Sequence, residues 1–136
     1  MFPITINITP RYSETDQMGI IHHANYLIYL EQARLDWLSQ LGFSYVKMEE
    51  AGVLLPVYNI DLKYKNPIKF GDEISVKISL KSIPTTRVIF DYEIVNQKNQ
   101  VCAVCELTLV FTDAQTFRPR KPIPEFLEAC KKLLNT

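Results

Sequence analysis

No sign of charge prevails in this chain: 15 Lys and Arg residues are matched by 15 Asp and Glu residues, so the formal net charge is zero. Without a basic or acidic excess, nothing in the balance points to nucleic acid or a membrane surface as partner. Long apolar runs are missing as well. None approaches the roughly 20 residues that a helix needs to span a bilayer. The opening M-F-P-I-T-I-N-I-T has neither a basic n-region nor a continuous apolar core, so no secretory signal is expected there. Cysteine is scarce and odd in number, three in all and without a framework of spacings. That fits a reducing compartment, and the cytoplasm is the expected location. There is no internal repeat, low-complexity tract or linker. What remains is a chain of 136 residues, 47% hydrophobic, which argues against disorder. It is long enough for one domain, residues 1–136, with a genuine core.

Periodicity supplies the elements. Residues 3 to 9 alternate, with Ile4, Ile6 and Ile8 on one side, as in a half-buried strand. Residues from about 24 to 41 read as a helix stopped by Gly42. Leu27, Leu30, Trp37, Leu38 and Leu41 share a sector that Ile28 and Leu35 widen, with Asn25, Gln32, Asp36, Ser39 and Gln40 opposite. Because that sector exceeds the ~100° stripe of a helix lying on a surface, this helix is expected to be largely wrapped. After a short, helix-compatible S-Y-V-K-M-E-E-A-G come four β-patterned runs, at about 53–65, 73–82, 86–96 and 100–112. The first alternates Tyr58, Ile60, Leu62 and Tyr64 with polar residues, and short polar links between runs favour antiparallel neighbours. Pro124 opens a last helix carrying Phe126, Leu127, Cys130 and Leu133.

The economical packing of this order is an α+β fold, a five-stranded curved antiparallel sheet wrapped around one long central helix. The other face of the sheet and its edges then need cover, so self-association as a dimer or tetramer is expected.

Both histidines of the chain, His22 and His23, lie side by side in E-T-D-Q-M-G-I-I-H-H-A-N-Y, residues 14–26. Gly19 permits a sharp reversal there. A helix beginning near His23 should leave the amides of His23, Ala24 and Asn25 as unpaired donors at the positive end of the dipole. Such a terminus stabilises charge developing on a carbonyl oxygen. Asp16 can serve as nucleophile or as general base toward water. Together they describe acyl transfer to water, although a lone aspartate in a turn more often satisfies local backbone groups.

The segment R-Y-S-E-T-D-Q-M-G-I-I-H-H-A-N-Y-L-I-Y-L-E-Q-A-R resembles the signature of the 4-hydroxybenzoyl-CoA thioesterase family of hotdog-fold proteins, in particular its YbgC-like acyl-CoA thioesterase branch. Tyr12, Glu14, Thr15, Asp16, Gly19, His23, Asn25, Tyr26, Glu31, Ala33 and Arg34 match the pattern, and Y-K-N-P-I-K-F-G-D-E-I resembles a second signature. The resemblance implies hydrolysis of an acyl thioester of coenzyme A without a metal or redox cofactor, coenzyme A entering only as part of the substrate. Asp16 takes the position of the catalytic carboxylate. The His23 amide would polarise the thioester carbonyl, and the His23 side chain would help to arrange the site. Tyr12, Gly19, Asn25, Tyr26 and Tyr64 are the expected substrate-binding residues, with His22 standing where the family commonly has an aromatic such as tyrosine. Arg87, Arg118 and Lys121 are the preferred partners for the phosphates of coenzyme A, ahead of Lys63, Lys65 and Arg120.

Other features weigh less. Adjacent histidines are expected to point apart, so a metal centre is a poor reading. Arg34, inside the apolar sector, should pair with Glu31, itself the second-choice carboxylate. C-A-V-C at 102–105 places its thiols on opposite faces of a strand. Two rival functions share the fold: a dehydratase or hydratase acting on acyl thioesters, and a non-hydrolytic module that binds acyl-CoA or partners an acyl carrier protein.

Overall fold

The computed structural model describes residues 4–134. Strand β1 (Ile4–Ile8) leads through a 3-10 turn (Tyr12–Glu14) into α1 (Asn25–Gln40), then α2 (Tyr45–Glu50). There follow β2 (Val53–Leu54), β3 (Val57–Tyr64), β4 (Ile74–Leu80), β5 (Arg87–Val95), β6 (Val101–Val110), β7 (Thr112–Asp113) and α3 (Pro124–Leu134). Five strands form an antiparallel sheet in the order β1-β4-β5-β6-β3, and β2 pairs with β7 in a two-stranded annex. The expected start of the first strand at residue 3 lies outside the described residues. Within the described residues no helix is long and apolar enough to cross a membrane.

The alternation in β4 and β5 sorts side chains as expected. Ile74, Val76, Ile78 and Leu80 are buried on β4, as are Val88, Phe90, Tyr92 and Ile94 on β5. They meet the inward side of α1, where Tyr26, Tyr29, Leu30, Ala33, Trp37 and Leu38 are buried in the same core cluster. Trp37 stands edge-on to Phe90 at 4.9 Å and also meets Phe126 of α3. Phe126 and Cys130, two of the apolar residues expected on the last helix, are fully buried, so α3 packs onto this core.

Three expectations fail for identifiable reasons. The run expected over 53–65 is two strands, broken at Leu55-Pro56, because Pro56 has no amide hydrogen to continue a ladder. β3 is then an edge strand, paired only with β6, and all its residues except Leu62 are exposed. Nor is the apolar sector of α1 wrapped: Leu27, Ile28 and Leu35 are 38%, 54% and 44% exposed, since within one chain the core covers only the other flank. Finally, Arg34 is buried but its Nε donates to the Tyr45 hydroxyl at 2.7 Å, and no ion pair to Glu31 exists among the described residues. Residues three apart differ by about 60° around a helix, enough to leave Glu31 in solvent while Arg34 turns inward.

Candidate active site

Residues 14–22 fold as a small hairpin. Thr15 and Ile21 form an antiparallel bridge, the Asp16 amide donates to the Ile20 carbonyl at 2.8 Å, and the His22 amide donates to the Glu14 carbonyl at 2.8 Å. Gly19 closes the reversal at φ 77°, a left-handed conformation that costs side-chain-bearing residues energy. The hairpin is docked by the Ile21 amide, which donates to the carbonyl of buried Ile68 at 2.7 Å.

Glu14 ties this hairpin to α1. It is buried, and its Oε1 accepts the Arg11 amide at 2.8 Å and the Tyr29 hydroxyl at 2.7 Å. Burial acts to raise its pKa, but the Arg11 amide, the Tyr29 hydroxyl and the Arg11 charge outweigh it and hold the carboxyl below its ordinary value. The Glu14 carbonyl also accepts Asn25 Nδ2 at 2.9 Å, so the first residue of α1 is fastened to the same point. In the sequence Glu14 is only a motif match; its structural role depends on Tyr29, a contact that no local pattern reveals.

At the helix start the amides are used unevenly. Ala24 donates to His22 Nδ1 at 3.2 Å, Asn25 to the His22 carbonyl at 3.0 Å, and Tyr26 to the His23 carbonyl at 3.3 Å. The expectation of free donors at Ala24 and Asn25 is therefore corrected. Among the described residues the His23 amide has no acceptor. The two imidazoles also do not diverge; they stack with centroids 4.3 Å apart and an interplanar angle of 28°. Among the described residues no group of three or more His, Cys, Asp and Glu side chains is arranged to hold a metal ion.

A cleft of about 390 Å³ opens between the hairpin, the helix start and the segment after β3. It is lined by Asp16, Met18, Ile20, Ile21, His23, Tyr26, Tyr64, Lys65, Asn66 and Pro67. Asp16 is half-buried on its wall, and one carboxylate oxygen accepts the Met18 amide at 2.8 Å. That is the turn contact any aspartate here could make, and it leaves Oδ2 without a hydrogen-bond partner among the described residues. Tyr26 is buried with its hydroxyl accepting the Ile68 amide at 3.3 Å, and Tyr64 meets it edge-on at 4.8 Å. Burial lifts both phenols above the ordinary tyrosine value, so both stay neutral. Another hollow, on the sheet among Asp61, Lys63, Asp91 and Glu106, holds none of the motif residues.

The other expected site residues lie outside this cleft. Tyr12 is 74% exposed and packs edge-on against Phe70 at 5.4 Å. Asn25 is turned to the Glu14 carbonyl, and His22 flanks the cleft through its stack on His23. Arg87 lies over the Tyr58 ring, 4.7 Å from its centroid. Tyr58 and Tyr64 are six β3 residues apart, a span of about 20 Å, so Arg87 is at the far end of the sheet from Asp16. Arg118 and Lys121 are at that end too, because Phe111 donates to the Thr86 carbonyl and Arg120 to the Phe111 carbonyl, both at 2.8 Å. The preferred phosphate partners Arg87, Arg118 and Lys121 thus lie away from Asp16, whereas Lys65, a candidate placed behind them, lines the Asp16 cleft.

Comparison with known proteins accords with the resemblance carried by residues 11–34. A family model of the Thioesterase-like superfamily matches residues 10–130. YneP of Bacillus subtilis (strain 168), named as a proposed acyl-CoA thioesterase, is 35% identical over 128 residues, covering 92% of this chain and 93% of YneP. The acyl-CoA thioester hydrolase YbgC of Escherichia coli O6:H1 is 28% identical over 109 residues, 80% of this chain and 81% of YbgC. Among solved structures, a DHNA-CoA thioesterase from Staphylococcus aureus superposes with a TM-score of 0.92 at 35% identity, covering 99% of this chain and 93% of that one. Sequence and backbone agree over most of the chain, which belongs to the thioesterase-like superfamily of hotdog-fold proteins.

Proposed function

We propose that the protein is an acyl-CoA thioesterase, hydrolysing the thioester to a free acid and coenzyme A. The carrying observation is that one cleft is lined by both Asp16 and His23, and that the His23 amide lacks an acceptor among the described residues. The thioester carbonyl would sit against that amide, which takes up the negative charge developing on oxygen. Asp16 then attacks the carbonyl carbon through its unpartnered oxygen, expelling the CoA thiolate and leaving a mixed anhydride that water cleaves. Alternatively it removes a proton from a water that attacks directly. No cofactor is called on beyond the coenzyme A that the substrate carries. The acyl group would lie among Ile20, Ile21, Tyr26 and Pro67, and the aromatic substrate in the name of the Staphylococcus aureus relative makes an aromatic acyl group the first to try.

Assembly completes this reading. The exposed Leu27, Ile28 and Leu35 of α1, which the sheet as a wrapping around a central helix would otherwise cover, and the open edge strand β3 support a dimer or tetramer. Arg87, Arg118 and Lys121, remote from Asp16 in one chain, would meet phosphates of a substrate bound at a neighbouring subunit. Three buried free cysteines accord with a reducing compartment, the cytoplasm.

The test is thiol release from a panel of aromatic, short-chain and long-chain acyl-CoAs, with an acyl carrier protein thioester included, by wild type and Asp16→Asn. Asp16→Asn should fold, bind coenzyme A and lose turnover. An Asp16→Asn enzyme as fast as wild type would overturn the assignment.

A further inference from the structure

We propose that Tyr64 is a positioning residue: its hydroxyl, reaching from edge strand β3 to the His23 carbonyl, steadies the backbone of the residue whose amide receives the thioester oxygen. This rests on the reading above and adds to it a residue that acts without touching the reacting atoms.

The geometry is specific. Tyr64 Oη donates to the His23 carbonyl at 3.0 Å, across 41 residues of sequence. Among the described residues the other hydrogen bond to that carbonyl comes from the Tyr26 amide at 3.3 Å, at the long end of the range. Take away the Tyr64 hydroxyl and the carbonyl is held by that long bond alone, at the first turn of α1, where helices fray. His23 is exposed, so packing does little to hold it. Its carbonyl and its amide lie on either side of one α-carbon, and rotation that releases the first swings the second. An oxyanion donor works only when it is preorganised, so a loose backbone at His23 weakens the interaction in the transition state more than substrate binding.

The Tyr64 ring is held independently of its hydroxyl. It stands edge-on to Tyr26 at 4.8 Å and to His23 at 6.4 Å, both contacts that phenylalanine would keep. Burial lifts the phenol above the ordinary value, so the hydroxyl remains a donor throughout the working pH range. Tyr64 is also the last residue of β3, paired with Ala103 of β6, so the sheet supplies a firm base for the reach.

Tyr64→Phe in the full chain is the test. Expected are a kcat lowered about tenfold with KM within about twofold, an unchanged pH profile, and shifted amide resonances of His23 and Ala24 in the free protein. Resonances of Ala103 and Cys105, across the β3–β6 ladder, should stay in place and report an intact fold. An unaltered kcat, a raised KM at full kcat, or unmoved His23 and Ala24 resonances would each overturn the role given to Tyr64. If the wild-type chain hydrolyses no acyl-CoA, the thioesterase reading falls and this proposal with it; an active wild type with an indifferent Tyr64→Phe removes Tyr64 alone.

Discussion

Glu14→Gln should cost about 2 kcal/mol at neutral pH, and the cost should vanish in acid. The carboxylate accepts two short bonds, from the Arg11 amide at 2.8 Å and the Tyr29 hydroxyl at 2.7 Å. Glutamine keeps an oxygen in that place, so both bonds survive but lose the contribution of charge. A hydrogen bond to a charged group is worth about 1.5–3 kcal/mol and a neutral one about 0.5–1.5, so each loses about 1 kcal/mol. The Arg11 guanidinium adds little: its side chain is 76% exposed and its contacts are 3.3 Å. For a chain of this length 2 kcal/mol corresponds to a midpoint lowered by about 6–10 °C. The sign of the pH dependence follows from the depressed carboxyl. Its stabilisation is present above the unfolded value of about 4.3 and is lost as pH falls through the lower folded value. Thermal or urea unfolding of wild type and Glu14→Gln at pH 7, 5 and 3 reads this directly. Equal stabilities at pH 7, or an undiminished gap at pH 3, would refute the reasoning. In a Tyr29→Phe background the cost at pH 7 should fall by about half, the coupling expected of a shared bond.

Two further outcomes follow from the same geometry. Gly19→Ala should lower stability by about 1–2 kcal/mol from the left-handed backbone alone, since a β-carbon there meets nothing within 4 Å and φ is 77°; a urea midpoint equal to wild type would contradict this, and Gly19→Asn should recover part of the loss. Burial pushes the thiols of Cys105 up to about 11 and Cys130 up to about 12, and raises that of Cys102. All three should therefore resist a thiol-reactive dye at pH 8 until urea unfolds the chain, and a cysteine that labels promptly in the native protein would show that this core is open.

The sequence by itself determined most of the segments that become helix or strand, and the inward faces of β4, β5 and α3. Alternation in β4 and β5 and the periodicity of α3 put Ile78, Phe90 and Phe126 inward, because a residue's direction in a regular element is set by local geometry. It also determined the hairpin chemistry: Gly19 at positive φ and the Asp16 turn contact need only neighbours a few residues away. Which partner meets each inward residue was decided by tertiary structure alone. Periodicity marks Leu27, Ile28 and Leu35 as apolar but cannot say that one chain leaves them bare. It puts Arg34 inside without disclosing that a tyrosine hydroxyl rather than Glu31 receives it. The same holds at the site, where the Tyr64 hydroxyl reaches the His23 carbonyl and the Ile68 amide reaches Tyr26. Hydrogen bonds over 41 and 42 residues of separation exist only once the sheet has brought their ends together, and no local preference encodes them.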